Sequence, residues 1–273
     1  MANKMGPFVK WAGGKGQLVD RLIDRMPPQY NNYFEPFVGG GAMFWSVAPE
    51  HGYINDINAE LIHTYKVIRD NATELIEHLV AFDSVECTKE FYYAQRESYN
   101  KKISQKIYDT ETAALFIFLN KHCFNGLYRV NGKGLFNVPW NQKTHVDSFS
   151  SENIFSISQF LKNAVIACGD FETALTDAKS EDFIFIDSPY APINPTSFES
   201  YTKEGFSESE HRRLASLFKE LTARGCYCML TNHNTDLIQE LYQDFLIEEV
   251  DVRRNINSKA TNRTGKEVII RNY

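Results

Sequence analysis

A short aromatic and apolar run, Tyr33 to Val38, ends in three consecutive glycines, Gly39, Gly40 and Gly41, and Ala42 to Ala48 then starts a helix. Strand, glycine turn, helix leaves few folds open, and the next segment narrows them. Gly52 to Ile54 reads as a second strand ending at Asn55 and Asp56, and Asn58 is placed to N-cap the amphipathic run Ala59 to Asp70. Strands alternating with helices require a crossover each time, which predicts a parallel sheet.

The rhythm stops at about Ala72. From there to Leu161 the signals are helical, notably Glu90 to Asn100 and Thr112 to Lys121, followed by a Gly- and Asn-rich basic loop, Asn125 to Asn141. It resumes with Ala164 to Cys168 and with Asp182 to Ile186, whose Phe-Ile-Phe-Ile predicts burial on both faces. A helix from about Ser207 to Arg224 leads to the strand Cys226 to Leu230, and Phe245 to Arg253 with Lys266 to Tyr273 reads as a closing hairpin. The expected organisation is a doubly wound α/β domain over residues 1–71 and 162–273, with a mainly helical domain inserted at 72–161. A chain of 273 residues, 43% hydrophobic, is large enough for one core and one insertion.

Several function classes drop out. No apolar stretch approaches the ~20 residues of a membrane span, Ala113 to Leu119 being the longest candidate, and Met1 to Lys10 lacks the apolar centre of a signal peptide. Five scattered cysteines, with Cys226 and Cys228 on one face of a strand, read as reduced thiols in a cytoplasmic protein. His122 and His145 have no partners at metal-ligand spacing, so no metal is assigned. The net charge of −6 argues against nucleic acid only as an average. Lys121 to His145 carries +4 and Val252 to Tyr273 carries +5, leaving −15 for the remainder. Such runs are either solvated faces or the footprint of a polyanion.

Four motifs carry chemistry. In Phe34-Glu35-Pro36-Phe37-Val38-Gly39-Gly40-Gly41 the glycines admit a ligand close to the backbone, and Asp56, 17 residues after Gly39, can accept both hydroxyls of a ribose. Phe44 stands where a dinucleotide fingerprint needs a small residue, which disfavours a pyrophosphate. Asp187-Ser188-Pro189-Tyr190 follows the buried strand, where open α/β sheets place their ligands. A carboxylate and a backbone carbonyl there can accept the two protons of an exocyclic amino group, and Tyr190 offers a face to an extruded base. Lys10, Trp11, Gly13, Gly14 and Lys15 precede a helix expected near Gln17, either as a basic arm or as a carboxylate- or phosphate-binding turn. Asn120 to Arg129 interleaves aromatic and basic side chains, with Phe136 to Trp140 following. Wedging aromatics and a base-reading arginine fit this pattern, as does core packing for at least one of Phe124, Leu127 and Phe136.

Together, in this order and across nearly the whole chain, Lys10-Trp11-Ala12-Gly13-Gly14-Lys15, Phe34 to Gly41, Asn125-Gly126-Leu127-Tyr128-Arg129 with Phe136-Asn137-Val138-Pro139, and Asp187-Ser188-Pro189-Tyr190 resemble the DNA adenine methylase family. Tyr201-Thr202, Gly205-Phe206, Thr231-Asn232-His233 and Val252-Arg253-Arg254 also fit. The resemblance implies a doubly wound, S-adenosylmethionine-dependent methyltransferase sheet whose insertion is a DNA target-recognition domain. It implies methyl transfer from S-adenosylmethionine, with S-adenosylhomocysteine as product, to adenine N6 in double-stranded DNA, within GATC, by base flipping. Carried over by position, Trp11, Lys15, Phe37, Gly39, Asp56, Asp170 and Asp187 line the cofactor pocket, and Asp187, Ser188, Pro189 and Tyr190 are catalytic. Lys10, Phe124, Asn125, Leu127, Arg129 and Pro139 fall on the DNA side. Roles in restriction-modification or in marking DNA for replication or repair belong to such enzymes. The implied setting is the nucleoid, with neither a membrane nor an obligatory protein partner.

One residue departs from the family's Asp-Pro-Pro-Tyr: Ser188 replaces the first proline. Ser still offers its carbonyl, but the fixed φ that pre-organises it is lost, which predicts a slower enzyme. A catalytically weakened or inactive DNA-binding member, and an amino-methyltransferase with a non-DNA acceptor, are the alternative readings.

Overall fold

The computed structural model describes residues 5–11, 13, 15, 16, 18–193, 206–253 and 264–273. Ala12, Gly14, Gln17, Tyr201, Thr202, Gly205 and Arg254, named in the motifs above, lie outside the described residues, as do Lys259 and Arg263.

In chain order the elements are α1 (Val19–Ile23), β1 (Tyr33–Glu35), α2 (Ala42–Val47), β2 (Gly52–Asp56), α3 (Ala59–Asp70), α4 (Ala72–Asp83), α5 (Lys89–Ser104) and α6 (Thr110–His122). A 3-10 turn at Phe124–Gly126 precedes α7 (Ser151–Leu161) and β3 (Ala164–Cys168). Then come α8 (Phe171–Ala174), β4 (Phe183–Ile186), α9 (Glu208–Ala223), β5 (Tyr227–His233), α10 (Asp236–Tyr242), β6 (Leu246–Arg253) and β7 (Thr264–Arg271). The described strands form one seven-stranded sheet in the order β3-β2-β1-β4-β5-β7-β6. Strand β1 pairs in parallel with β2 on one side and β4 on the other, β4 pairs in parallel with β5, and β7 runs antiparallel to both β5 and β6. The strand order therefore reverses between β1 and β4, the switch point at which doubly wound sheets bind ligands.

The expected α/β sheet is present. Strand β1 is shorter than the apolar run suggested, ending at Glu35 because Pro36 has no N–H to continue a ladder. The final hairpin closes the sheet in reverse, with β7 rather than β6 against β5.

The chain divides into two compact units. One comprises residues 15–38, 49–54 and 170–273. All four residues of β4 are buried in it, and Ile184 and Ile186 join Leu214, Phe218 and Leu221 of α9 and Val268 and Ile270 of β7 in one core. Cys226 and Cys228 both point into that core and are free thiols. The other unit comprises residues 1–14, 39–48 and 55–169. At its centre α6 is apolar and buried all round, with Ala113 to Leu119 at most 4% exposed, and α3, α4 and α5 pack against it. Each Leu, Ile or Phe buried there contributes roughly 1.5–3 kcal/mol. This accounts for the longest apolar run in the sequence: among the described residues no helix is long and apolar enough to cross a membrane.

Candidate active site and nucleic-acid interface

Asp187 is the first residue past β4, and the β4–β5 register, Ile186 opposite Leu230, sets it beside Thr231. The Thr231 hydroxyl donates to Asp187 Oδ1 at 2.8 Å, and Lys15 Nζ pairs with the same oxygen at 2.7 Å. Lys15 is only 6% exposed and also lies 4.4 Å from the centroid of the Tyr190 ring. The Tyr190 hydroxyl donates to Glu267 Oε2 on β7 at 2.8 Å, and burial, reinforced by the charges of Asp187 and Glu267, pushes its pKa well above the usual phenol range. Tyr190 is therefore a neutral donor.

The tetrapeptide is fastened further by β5. Asn232 Oδ1 accepts from the backbone N–H of Ala191 at 2.8 Å, and His233 Nδ1 lies 2.9 Å from the Ala191 carbonyl. The His233 ring meets Tyr190 edge to face at 4.7 Å. Thr231-Asn232-His233 thus secures residues 187, 190 and 191 by three successive side chains. Ser188 is 2% exposed, and its hydroxyl has no hydrogen-bond partner among the described residues.

In the same unit Phe37 packs on Phe171 at 5.3 Å and Phe206 at 5.9 Å. Asp170 N-caps α8 by accepting from the Glu172 N–H at 3.0 Å, and its other oxygen takes Arg213 Nη2 at 2.5 Å. That arginine was not foreseen in the sequence.

The other unit holds the glycine turn. Gly39 has φ +48°, and a Cβ there would sit 2.7 Å from Trp11 Cδ1, so only glycine fits. Its N–H donates to Asp56 Oδ2 at 3.0 Å, the Asn58 N–H donates to Asp56 Oδ1 at 2.9 Å, and the Tyr65 hydroxyl donates to the Gly39 carbonyl at 2.9 Å. Burial raises the Asp56 carboxyl above the ordinary range against the opposing pull of these backbone donors. Trp11 stacks on Tyr128 at 5.4 Å and 22°.

Residues 120–141 fold back on themselves as an irregular ribbon. The Phe124 N–H donates to the Pro139 carbonyl at 2.8 Å, and isolated bridges join Cys123 to Trp140 and Val130 to Phe136. Arg129 Nε donates to Asn137 Oδ1 at 2.7 Å. Lys10, Asn125, Arg129 and Pro139 are exposed and Leu127 is half-buried. Of the three apolar residues for which core packing was an alternative, Phe136 is in the core at 4% exposure, whereas Phe124 is 52% exposed. A phenylalanine held out on a turn by a positive-φ Asn125 is not explained by packing within the chain. Asn120, Tyr128, Thr231 and Glu267 join these neighbourhoods without having been given roles from sequence. The signal for the first two was their place inside the Asn120 to Arg129 motif.

A family model for D12 class N6 adenine-specific DNA methyltransferases matches residues 11–256. The chain belongs to that family. It is 43% identical over 272 residues to the type II methyltransferase M1.LlaDCHI of Lactococcus lactis subsp. cremoris, covering 98% of this chain and 95% of the relative. It is 40% identical to the type II methyltransferase M.MjaIII of Methanocaldococcus jannaschii, covering 98% and 99%. With the DNA adenine methylase of Escherichia coli K12 it shares 31% identity over 97% of this chain and 94% of that one. The D12 family fixes the enzyme class as an adenine-specific DNA methyltransferase, and with it DNA as the substrate class. Among the described residues no group of three or more His, Cys, Asp or Glu side chains is arranged to hold a metal.

Proposed function

We propose that the chain transfers the methyl group of S-adenosylmethionine to N6 of an adenine rotated out of duplex DNA, that GATC is its site, and that residues 72–161 form the recognition domain. The observation that carries this reading is the state of Asp187. Its two partners among the described residues, Lys15 and Thr231, converge on Oδ1, which holds the carboxylate in place and directs Oδ2 to the amino group in this reading.

S-adenosylmethionine supplies, when bound, a methyl group on a sulfonium that an amine nitrogen can displace. The residues of the glycine turn suit its nucleoside. Gly39 brings the backbone against Trp11, and Asp56, engaged by one N–H on each oxygen, retains acceptor lone pairs for ribose hydroxyls. Trp11, Lys15, Phe37 and Asp170 are the remaining cofactor-side residues in this reading.

An adenine amino group is a weak nucleophile because its lone pair is delocalised into the ring. Asp187 Oδ2 accepts a hydrogen bond from one amino N–H and the Ser188 carbonyl from the other, which returns electron density to N6 as it attacks; one amino proton is lost as the N–C bond forms, and N6 keeps the other. Lys15 covers one face of the Tyr190 ring, and the base stacks on the opposite face. Pro189 keeps the turn between these groups stiff. The reading assigns no role to a thiol: burial pushes Cys87 and Cys226 up to about 11 and Cys123 up to about 12, which keeps these three protonated. On the DNA side Phe124 enters the stack, Arg129 and Lys10 read base edges, and Asn125, Leu127 and Pro139 complete the surface.

The test is nucleoside mass spectrometry on a GATC duplex and a scrambled duplex, each incubated with the protein and S-adenosylmethionine. N6-methyladenine in the GATC duplex alone is expected, and Asp187→Ala should abolish it with the fold intact. Methylation of both duplexes would remove the site, and turnover in the Asp187→Ala protein would remove the assigned acceptor.

A further inference from the structure

Asn120 sits in the last turn of α6 and is 2% exposed. Its Oδ1 accepts from the backbone N–H of Lys10 at 2.8 Å, and its Nδ2 donates back to the carbonyl of the same residue at 2.9 Å. The amide thus closes a two-point ring on Lys10, as a neighbouring strand would. The second Nδ2 hydrogen goes to the carbonyl of Gly126 at 3.0 Å. One buried side chain therefore binds the backbone of Lys10 and the turn that presents Phe124 and Asn125. Gly126, at φ +65°, lets the Lys10 stem lie directly on it, for a Cβ there would fall 2.6 Å from Lys10 Cβ. The flanking residues extend the same junction: Trp11, next to Lys10, stacks on Tyr128, two residues past Gly126.

We propose that Asn120 is a positioning residue for sequence discrimination, holding Lys10 and the 124–129 turn as one rigid reading head. The inference rests on the reading above that Lys10, Phe124 and Arg129 face DNA. Base-edge hydrogen bonds discriminate only while their donors keep a fixed spacing, and here one amide hydrogen-bonds both parts that set it. Asn120 itself touches no base.

The structure contains its own matched control. Asn153 makes the same two-point ring on a backbone residue, Gly6, with both bonds at 3.0 Å, away from the turn. Asn153→Leu removes a two-point ring like the one Asn120 makes on Lys10, whereas Asn120→Leu also removes the bond to Gly126, so loss of such a ring is common to both and release of the turn belongs to one. Asn120→Asp keeps the shape but cannot donate to the two carbonyls, and serves if the leucine variant does not fold.

The experiment measures methylation rates and duplex affinities on the sequence the wild type prefers and on duplexes with one base pair changed. For Asn120→Leu or Asn120→Asp the preferred-to-altered ratio should fall about tenfold or more, the discrimination that one well-placed base-edge interaction provides, while KM for S-adenosylmethionine stays within about twofold. Asn153→Leu should keep the wild-type ratio. Equal weakening on all duplexes, an unchanged ratio, or an equal drop in the Asn153 variant would overturn the proposal. A wild type that discriminates in binding without methylating would count against the proposed function alone, because the affinity ratios still test Asn120.

Discussion

Two donors share Asp187 Oδ1, and they differ in what they do. Lys15 brings charge, whereas Thr231, fully buried on β5, brings direction. Thr231→Val keeps the volume and removes the donor; a hydrogen bond to a charged group is worth roughly 1.5–3 kcal/mol. Turnover is therefore expected to fall about tenfold or more in steady-state assays, with KM for DNA little changed. Ser188→Pro works in the other direction. It fixes φ at the carbonyl proposed as acceptor and removes a buried hydroxyl that has no partner among the described residues, so the variant should turn over faster than the wild type. An unchanged or lower rate would overturn the expectation that Ser188 slows the enzyme. At this scale spacing in sequence can foretell proximity, as for Gly39 and Asp56, whose N–H and carboxylate meet at 3.0 Å. It gives no warning of Arg213, because an ion pair between Asp170 and a residue 43 positions away leaves no local pattern.

Helix α9 shows what an element adds. Ser207 caps it by accepting from the Glu210 N–H, and its buried face carries His211 among Leu214, Ala215, Leu217, Phe218 and Leu221. His211 Nε2 has no partner among the described residues, and burial pushes the ring down to about 4 from 6.5. A histidine that resists protonation in the folded state gives stability that is complete above the unfolded value and is lost as pH falls toward the folded one. Unfolding free energy should therefore drop by about 3 kcal/mol between pH 6.5 and pH 4 from this residue. Denaturant titrations of His211→Leu should lack that component. Helix α9 was visible in the sequence as a helix from about Ser207 to Arg224, and α3 and β3 were legible to the residue. Helices α7 and α10 were not singled out: Asn153 stands inside the first and Asn234 just before the second, where asparagine reads as loop. The pairing of β7 with β5 was hidden for another reason, since two consecutive strands look the same in sequence whichever one adjoins the sheet.

For the whole molecule, charge is the property most easily misread. A net −6 conceals two basic stretches, and one of them covers the ribbon that carries Lys121, Arg129 and Lys133, with Lys143 two residues past its end. Duplex affinity should fall steeply with salt, and neutralising Lys133 or Lys143 should reduce the slope of log K against log salt by about 1 for each phosphate that the variant no longer neutralises. Fluorescence-anisotropy titrations at several salt concentrations measure this; slopes unaltered in both variants would place these two lysines away from the phosphates. The grouping of residues 1–14 and 39–48 with the helices of 55–169 is a feature of three-dimensional packing that sequence order does not express.

The Asp187 to Tyr190 turn is held from opposite ends of the chain, by Lys15 near the start and by Glu267 on the strand that follows β6. During synthesis β4 and its tetrapeptide leave the ribosome some eighty residues before that glutamate does. A nascent chain therefore carries the tetrapeptide long before it carries the carboxylate to which Tyr190 donates.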